Sequence, residues 1–334
     1  MKKTIVVGMI LILIGANVVS GFQVNSMITS KPLNRGSWYY VGGNGPNNYT
    51  RIQDAIDDAG PGDSVFVYQG TYYESLTINK SVNVFGEDKE LTIIDGLNSG
   101  KLDVVWVCTP YLQGSTKDVH FSGFTLRNAE RGLFLISYID EINLSDISIY
   151  DNIFTLNTFG IVIEDCVNCK IYRNIIKENH IGLSVSSGHN NSYTQNIIKD
   201  NSIGIFSDGY EPQVFEKNSI EDNEKGITLA VYSQNTIRYN NFIDNSKDIN
   251  IWLTFYLFSQ VIIYPLLHIA EWQGNHWDGN YWDRWEKTRP KPIVSFFILM
   301  IMVIRDYSQL IIPLGIYPYI KFDWHPVQEP YDIP

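Results

Sequence analysis

The chain is poor in soft metal ligands: 3 cysteines, 5 methionines and 6 histidines among 334 residues. Cys166 and Cys169 form a lone C-V-N-C, and Cys108 is distant. A structural zinc site wants about four N or S ligands, and no second Cys or His pair stands at ligand spacing. No metal or other cofactor is therefore predicted, and in an oxidising compartment the pair would close a local disulfide. Basic residues are also short, 25 Lys and Arg against 36 Asp and Glu, for a net charge of -11. An acidic surface repels phosphate, which excludes nucleic acid as the expected partner. Helical periodicity is scarce as well, although 44% of residues are hydrophobic and the chain should fold.

What is present begins with a leader. Lys2 and Lys3 precede an apolar run from Ile5 to Ile14, with small residues from Val18 to Gly21. Residues 1–20 read as an export signal cut after Ser20, or as an uncleaved N-terminal anchor. Removing it would take away two lysines and leave a net charge of -13. Sequons at Asn48, Asn79, Asn143 and Asn190 permit glycosylation of an exported chain.

Then comes a period. Asn152, Asn174, Asn196, Asn218 and Asn240 stand 22 residues apart, and Asn157, Asn179, Asn201, Asn223 and Asn245 keep the same step. Gly160, Gly182, Gly204 and Gly226 share it. A fixed period of this size signals one unit stacked on itself. Apolar columns ride on it: Ile161, Leu183, Ile205 and Ile227; Phe154, Ile176, Ile198, Ile220 and Phe242; Ile171, Tyr193, Phe215 and Ile237. Period-two alternation places each column on one strand face. Three such faces per repeat predict an all-β right-handed parallel β-helix over 37–250. It would have three-strand coils and about eight rungs stacked roughly 4.8 Å apart. The asparagines should sit at the corners, ladder from rung to rung and tolerate left-handed backbone there. A capping helix is expected before the first rung, opened by a Thr50/Gln53 capping box, carrying Ile52, Ala55, Ile56 and Ala59, and stopped at Gly60-Pro61.

Residues 49–87, Y-T-R-I-Q-D-A-I-D-D-A-G-P-G-D-S-V and onward, resemble the start of right-handed β-helix proteins of the pectin-lyase-like superfamily, NosD-type group. W-D-G-N-Y-W-D (277–283) and F-D-W-H-P with E-P-Y-D (322–332) resemble the C-terminal ends of such exported, mostly archaeal, surface proteins. The resemblance implies the fold. For activity it implies several chemistries, because that superfamily includes lyases, hydrolases, epimerases and members without known function. Its enzymes place clustered carboxylates and an Arg or Lys base on one outward face. The outward columns here are bland: Val162, Ser184, Phe206, Thr228 and Asn250; Tyr172, Thr194, Glu216 and Arg238; Thr155, Lys177, Lys199, Glu221 and Ile243. Glu178, Asp200, Asp222 and Asp244 read as solvated turn acids.

The irregular loop Thr109–Asp118 beside Trp106 is the best place for a hidden site. Its catalytic candidates are Asp103, Asp118, His120 and Arg127. Residues 251–334 read as an apolar and aromatic C-terminal cap. The runs 251–270 and 293–304 would cover the open end of the coil, seat in a membrane or dock a partner. Trp277, Asp278, Tyr281, Trp282 and Asp283 could stack on and hydrogen-bond sugar, or pack as the cap's own core. The leading expectation is an exported, non-catalytic cell-surface protein that binds surface polysaccharide or envelope components. The alternatives are a polysaccharide lyase or epimerase and a NosD-like accessory protein for metal handling.

Overall fold

The computed structural model describes residues 36–97, 99–110, 114–137, 144–209, 211–230, 233–252, 255–257, 275–285, 290–305 and 308–333. Residues 1–20, Asn143, Trp272 and, within 251–270, residues 253–254 and 258–270 lie outside these residues. The fold is a right-handed parallel β-helix.

One coil shows how the chain turns. Ser148–Tyr150 lies in a first sheet, A, and Ile153–Thr155 in a second, B. Phe159–Glu164 lies in a third, C, and the two-residue Cys166–Val167 in a short fourth, D. Lys170–Tyr172 then returns to sheet A, in parallel register with Ser148–Tyr150. Sheets A, B, C and D hold 10, 9, 8 and 4 strands among the described residues. The coil is therefore longer than about eight rungs in sheet A, and four of its coils carry a fourth, short strand. Sheets A and B also run past residue 250, through His276–Asp278 and Tyr281–Trp282.

The interior is stacked as the columns require. Ile171, Tyr193, Phe215 and Ile237 are fully buried, as are Phe154, Ile176, Ile198 and Ile220. Each such side chain stabilises the fold by about 1.5–3 kcal/mol, so stacking is driven by repetition of burial. The glycine column has a backbone cause. A Cβ on Gly160 or Gly182 would meet the next rung's glycine carbonyl at 2.5 or 2.6 Å, so only glycine lets the rungs approach there.

Each ladder asparagine uses both ends of its amide. Asn174 Nδ2 donates to the Ile149 carbonyl at 2.9 Å, and its Oδ1 accepts from Asn152 N–H at 3.1 Å and Asn152 Nδ2 at 3.2 Å. The left-handed residue, however, is the one before each asparagine. Asp151, Arg173, Gln195, Lys217 and Tyr239 have φ between 53° and 58°, and Leu156, Glu178, Asp200, Asp222 and Asp244 between 50° and 57°. The corner is turned one residue early so that the asparagine itself can point inward. The turn acids thus hold the strained position of the second corner.

A third ladder runs through Asn191, Gln213, Asn235 and Asn275. Cys169 N–H donates to Asn191 Oδ1 at 2.8 Å, Gln213 N–H to Asn235 Oδ1 at 3.1 Å, and Asn235 N–H to Asn275 Oδ1 at 3.1 Å. Beside it, Cys166 and Cys169 form a disulfide, and both are buried. Cys108 is a free, buried thiol whose pKa is pushed up to about 11 by that burial.

Both ends are closed by distant carboxylates. The cap helix Ile52–Asp58 buries Ile52, Ala55 and Ile56, as expected. Its N-terminus is not held by a Thr50/Gln53 box. Glu74 accepts instead, from Ile52 N–H at 2.9 Å and Gln53 N–H at 3.2 Å, because Gln53 is already engaged with Thr77. A carboxylate at a helix N-terminus also meets the favourable end of the dipole. At the other end the first ladder jumps from Asn240 to Asn280, whose Oδ1 accepts from Asn240 N–H at 3.0 Å. Fully buried Asp323 terminates it. Its carboxylate accepts from the N–H groups of Gly279, Asn280 and His325, from Asn280 Nδ2 and from Trp282 Nε1, at 3.0–3.2 Å.

Candidate functional site

The four catalytic candidates do not converge; the winding splits them into two pairs. Arg127 ends a strand of sheet B and bonds Asp95 at 2.8 Å. Asp103 opens a strand of sheet C and is clasped by Arg131. Both lie at the corner between sheets B and C. Asp118 takes the left-handed position before sheet A (φ 54°), and His120 is exposed at the start of an interior strand of that sheet. A corner or a sheet face therefore separates the two pairs. The electrostatics of Asp95 and Asp103 also differ. Burial would raise the Asp95 carboxyl, yet hydrogen bonds from Asn128, Leu97 N–H and Arg127 outweigh it and hold it below the ordinary range. Burial wins at Asp103, which stays above that range despite Arg131.

An open groove of about 680 Å³ follows the B–C corner, lined by Lys101, Asn128, Glu130, Leu156, Thr158 and His180. Its charges are mixed, and no acid–base pair meets across it among the described residues. Two other carboxyls stand out: Glu164, which closes a strand of sheet C, and Asp208, which follows the strand two rungs on. Burial raises both above the ordinary range. They lie outside the periodic columns inspected in the sequence. The outward sheet C column is not an open surface, since Val162, Ser184 and Thr228 are at most 7% exposed. Among the described residues no group of three His, Cys, Asp or Glu side chains is arranged to hold a metal ion.

The sugar-binding candidates of the tail are largely interior. Trp277 and Trp282 are each 1% exposed and fill the last rung, with Trp282 stacked on Phe242 at 4.2 Å. They pack as core because their strands continue sheets A and B. Tyr281 pairs with Asn241 in sheet B. Asp278 lies 2.6 Å from His325, and Asp283 accepts from Asp244 N–H at 2.7 Å. The two tryptophans leave no free ring face for a ligand.

Exposed aromatic surface lies elsewhere, on the outer face of sheet A. Strands Trp38–Val41, Ser64–Val67 and Asn83–Gly86 pair in register, with Tyr40 beside Phe66 and Phe66 beside Phe85. Trp38 is 53% and Tyr40 43% exposed. The rings touch one another: Trp38–Phe85 at 5.9 Å, Tyr40–Phe66 at 6.2 Å, Phe66–Tyr68 at 5.2 Å and Tyr40–Tyr68 at 6.3 Å. Further along the same column Tyr150 and Tyr172 stack at 4.9 Å, with the Arg173 guanidinium 5.2 Å from the Tyr172 ring. His120 meets the edge of Tyr150 at 6.4 Å. The parallel column alongside is polar: Ser64, Asn83, His120, Ser148, Lys170 and Ser192. A flat sheet with ring faces in one column and hydroxyls, amides and cations in the next can stack on a sugar's apolar face while bonding its hydroxyls. The signal was present as W-Y-Y at 38–40, F-V-Y at 66–68 and Phe85, in rungs where the period is loose.

Comparison with known proteins supports the fold. A family model described as a right handed beta helix region matches residues 115–258. No protein of curated function matches the sequence. Solved structures similar in fold include pectate lyase Pel9A, at 16% identity, TM-score 0.44, covering 75% of this chain and 76% of that one. The A-module of Azotobacter vinelandii mannuronan C-5 epimerase AlgE4 is 16% identical, TM-score 0.42, with 61% and 76% covered. DFA-IIIase from Arthrobacter chlorophenolicus A6 is 12% identical, TM-score 0.42, with 81% and 85% covered. Likeness at this distance does not bear on activity.

Proposed function

We propose that this is an exported, non-catalytic β-helix protein that binds a carbohydrate polymer of the cell surface along the outer face of sheet A. The observation that carries the reading is the aromatic face made by Trp38, Tyr40, Phe66, Tyr68 and Phe85, with two rings about half exposed. Large exposed rings add nothing to the coil's core, and contiguous apolar surface on a soluble face marks a contact site. The leader at 1–20 supports export. Affinity electrophoresis of the full chain against a panel of neutral and acidic polysaccharides tests the reading. Each ring face is worth about 0.5–1.5 kcal/mol beyond its burial, so Trp38→Ala with Tyr40→Ala should weaken binding about tenfold. Retardation by no polymer, or equal retardation of the double variant, would sink it.

A second reading, a carbohydrate-active enzyme, draws on Glu164 and Asp208. Burial holds both carboxyls above the ordinary range, and carboxyls perturbed in that direction are candidates for general acid–base work. Unsaturated uronate absorbance, present with the native chain and lost in Glu164→Gln, would favour this reading over the first.

A further inference from the structure

The C-terminal end of the coil carries a second surface, unrelated to the aromatic face of sheet A. Lys291–Arg305 pairs antiparallel with Ser308–Asp323 to form a long ribbon, from Lys291 opposite Asp323 to Arg305 opposite Ser308. From Ile293 to Ile304 there is no charge and one hydroxyl, Ser295; from Leu310 to Ile320 there is no charge at all. Successive residues of a strand alternate between faces. In the sequence both alternating sets are apolar, Phe297, Leu299 and Ile301 in one, Val294, Ile298 and Met302 in the other; Ile293, at the base, is buried in the coil's core. A ribbon packed on a core by one face would be polar in the other set. Beyond Ile293 the pattern suits water on neither side.

Three further features say which medium. In the sequence, cations flank the uncharged stretches, Lys321 at the base and Arg305 at the turn, while Lys291 is held inside by Asp248 at 3.3 Å and the Trp282 ring at 3.7 Å. At the base, Phe322 is 40% and Trp324 61% exposed, and their rings lie 5.5 Å apart. Aromatic rings beside cations at the margin of an apolar segment are the signature of the lipid headgroup layer. The outer strand carries Pro313 and Pro318, which have no N–H to offer a neighbouring strand, so edge pairing with another copy is disfavoured. Meanwhile Asp323 fastens the ribbon's base to the last rung through four hydrogen bonds.

We propose that this end of the coil docks on a lipid bilayer. The ribbon seats in the interfacial layer of one leaflet, with Trp324 and Phe322 at headgroup level and the coil standing on the surface. Phe255–Leu257 covers the inner edge only at Ile301–Val303; the rest of that edge and the outer edge keep open backbone groups, which hydrocarbon does not tolerate, so the ribbon lies in the interface and does not span. No described helix is long and apolar enough to cross a membrane.

The test is vesicle flotation of the full chain with its leader removed, using phosphatidylcholine alone and mixed with phosphatidylglycerol. The chain should float with both. Phe322→Ser with Trp324→Ser, at the rim and outside the core, should reduce flotation about tenfold while circular dichroism stays native. Ile298→Asp should abolish it, and brominated lipid should quench the native chain more than Trp324→Phe. A chain that stays at the bottom of the gradient, or rim and ribbon variants that float like the native chain, would overturn the proposal. So would self-association on gel filtration that Ile298→Asp abolishes without any flotation, which would identify a second copy as the occupant.

Discussion

The middle coils and the two ends of this molecule solve the same problem by different means. From Asn152 to Asn245 every rung repeats the same amide bonds at 22-residue steps, and each corner satisfies its neighbour. At the ends there is no next rung, and a single carboxylate takes its place: Glu74 at the cap helix and Asp323 at the last corner. A carboxylate suits an end because it only accepts, and a terminal corner has donors left over. The middle can be uniform because its needs are met by copies of itself. The ends must recruit particular residues, and they also carry the exposed aromatics Trp38, Tyr40, Phe322 and Trp324.

The sharpest way to break this comparison is at Asp323. Asp323→Ala would strand five donors, at about 1–3 kcal/mol for each buried group left unpaired. We expect a loss of about 5 kcal/mol confined to the last rung, read as faster hydrogen exchange at 276–283 with the middle coils still protected. Uniform exchange across the chain would instead show that the ends and the middle unfold as one unit. In the middle, Asn196→Ala removes the acceptor for Asn174 N–H and Nδ2 and the donor to the Ile171 carbonyl. That should cost about 3 kcal/mol, and denaturant unfolding measures it. The smallest effect concerns Glu164. Its folded-state pKa is raised by burial, so ionisation opposes folding and native stability falls as pH rises from the unfolded to the folded value. Glu164→Gln should therefore be modestly stabilising at neutral pH and neutral in acid, and melting temperatures across pH would show the difference shrinking as pH drops.

Legibility followed the same division. The inward columns, the two asparagine ladders and the cap helix could be read because a 22-residue step makes sequence neighbours into spatial neighbours. The third ladder escaped notice because it alternates in residue type, Cys169, Asn191, Gln213, Asn235, although Gln213 Nε2 still reaches the Gly188 carbonyl at 2.9 Å. The left-handed corner was assigned one residue late, since asparagine tolerates that conformation but here needs its side chain inside. Trp277 and Trp282 read equally well as a sugar platform or a core, and only strand register placed them indoors. The sheet A face was missed because its rings come from three strands without a shared spacing.

By itself, then, the sequence determined a coil, its rung length and which residues face in, because those depend on contacts between equivalent positions one period apart. The tertiary structure alone decided how the coil ends and what its outer faces offer. Asp323 stands 43 residues beyond Asn280, and Trp38 and Phe85 are 47 apart. No period links such pairs, and only the winding of the chain brings them together.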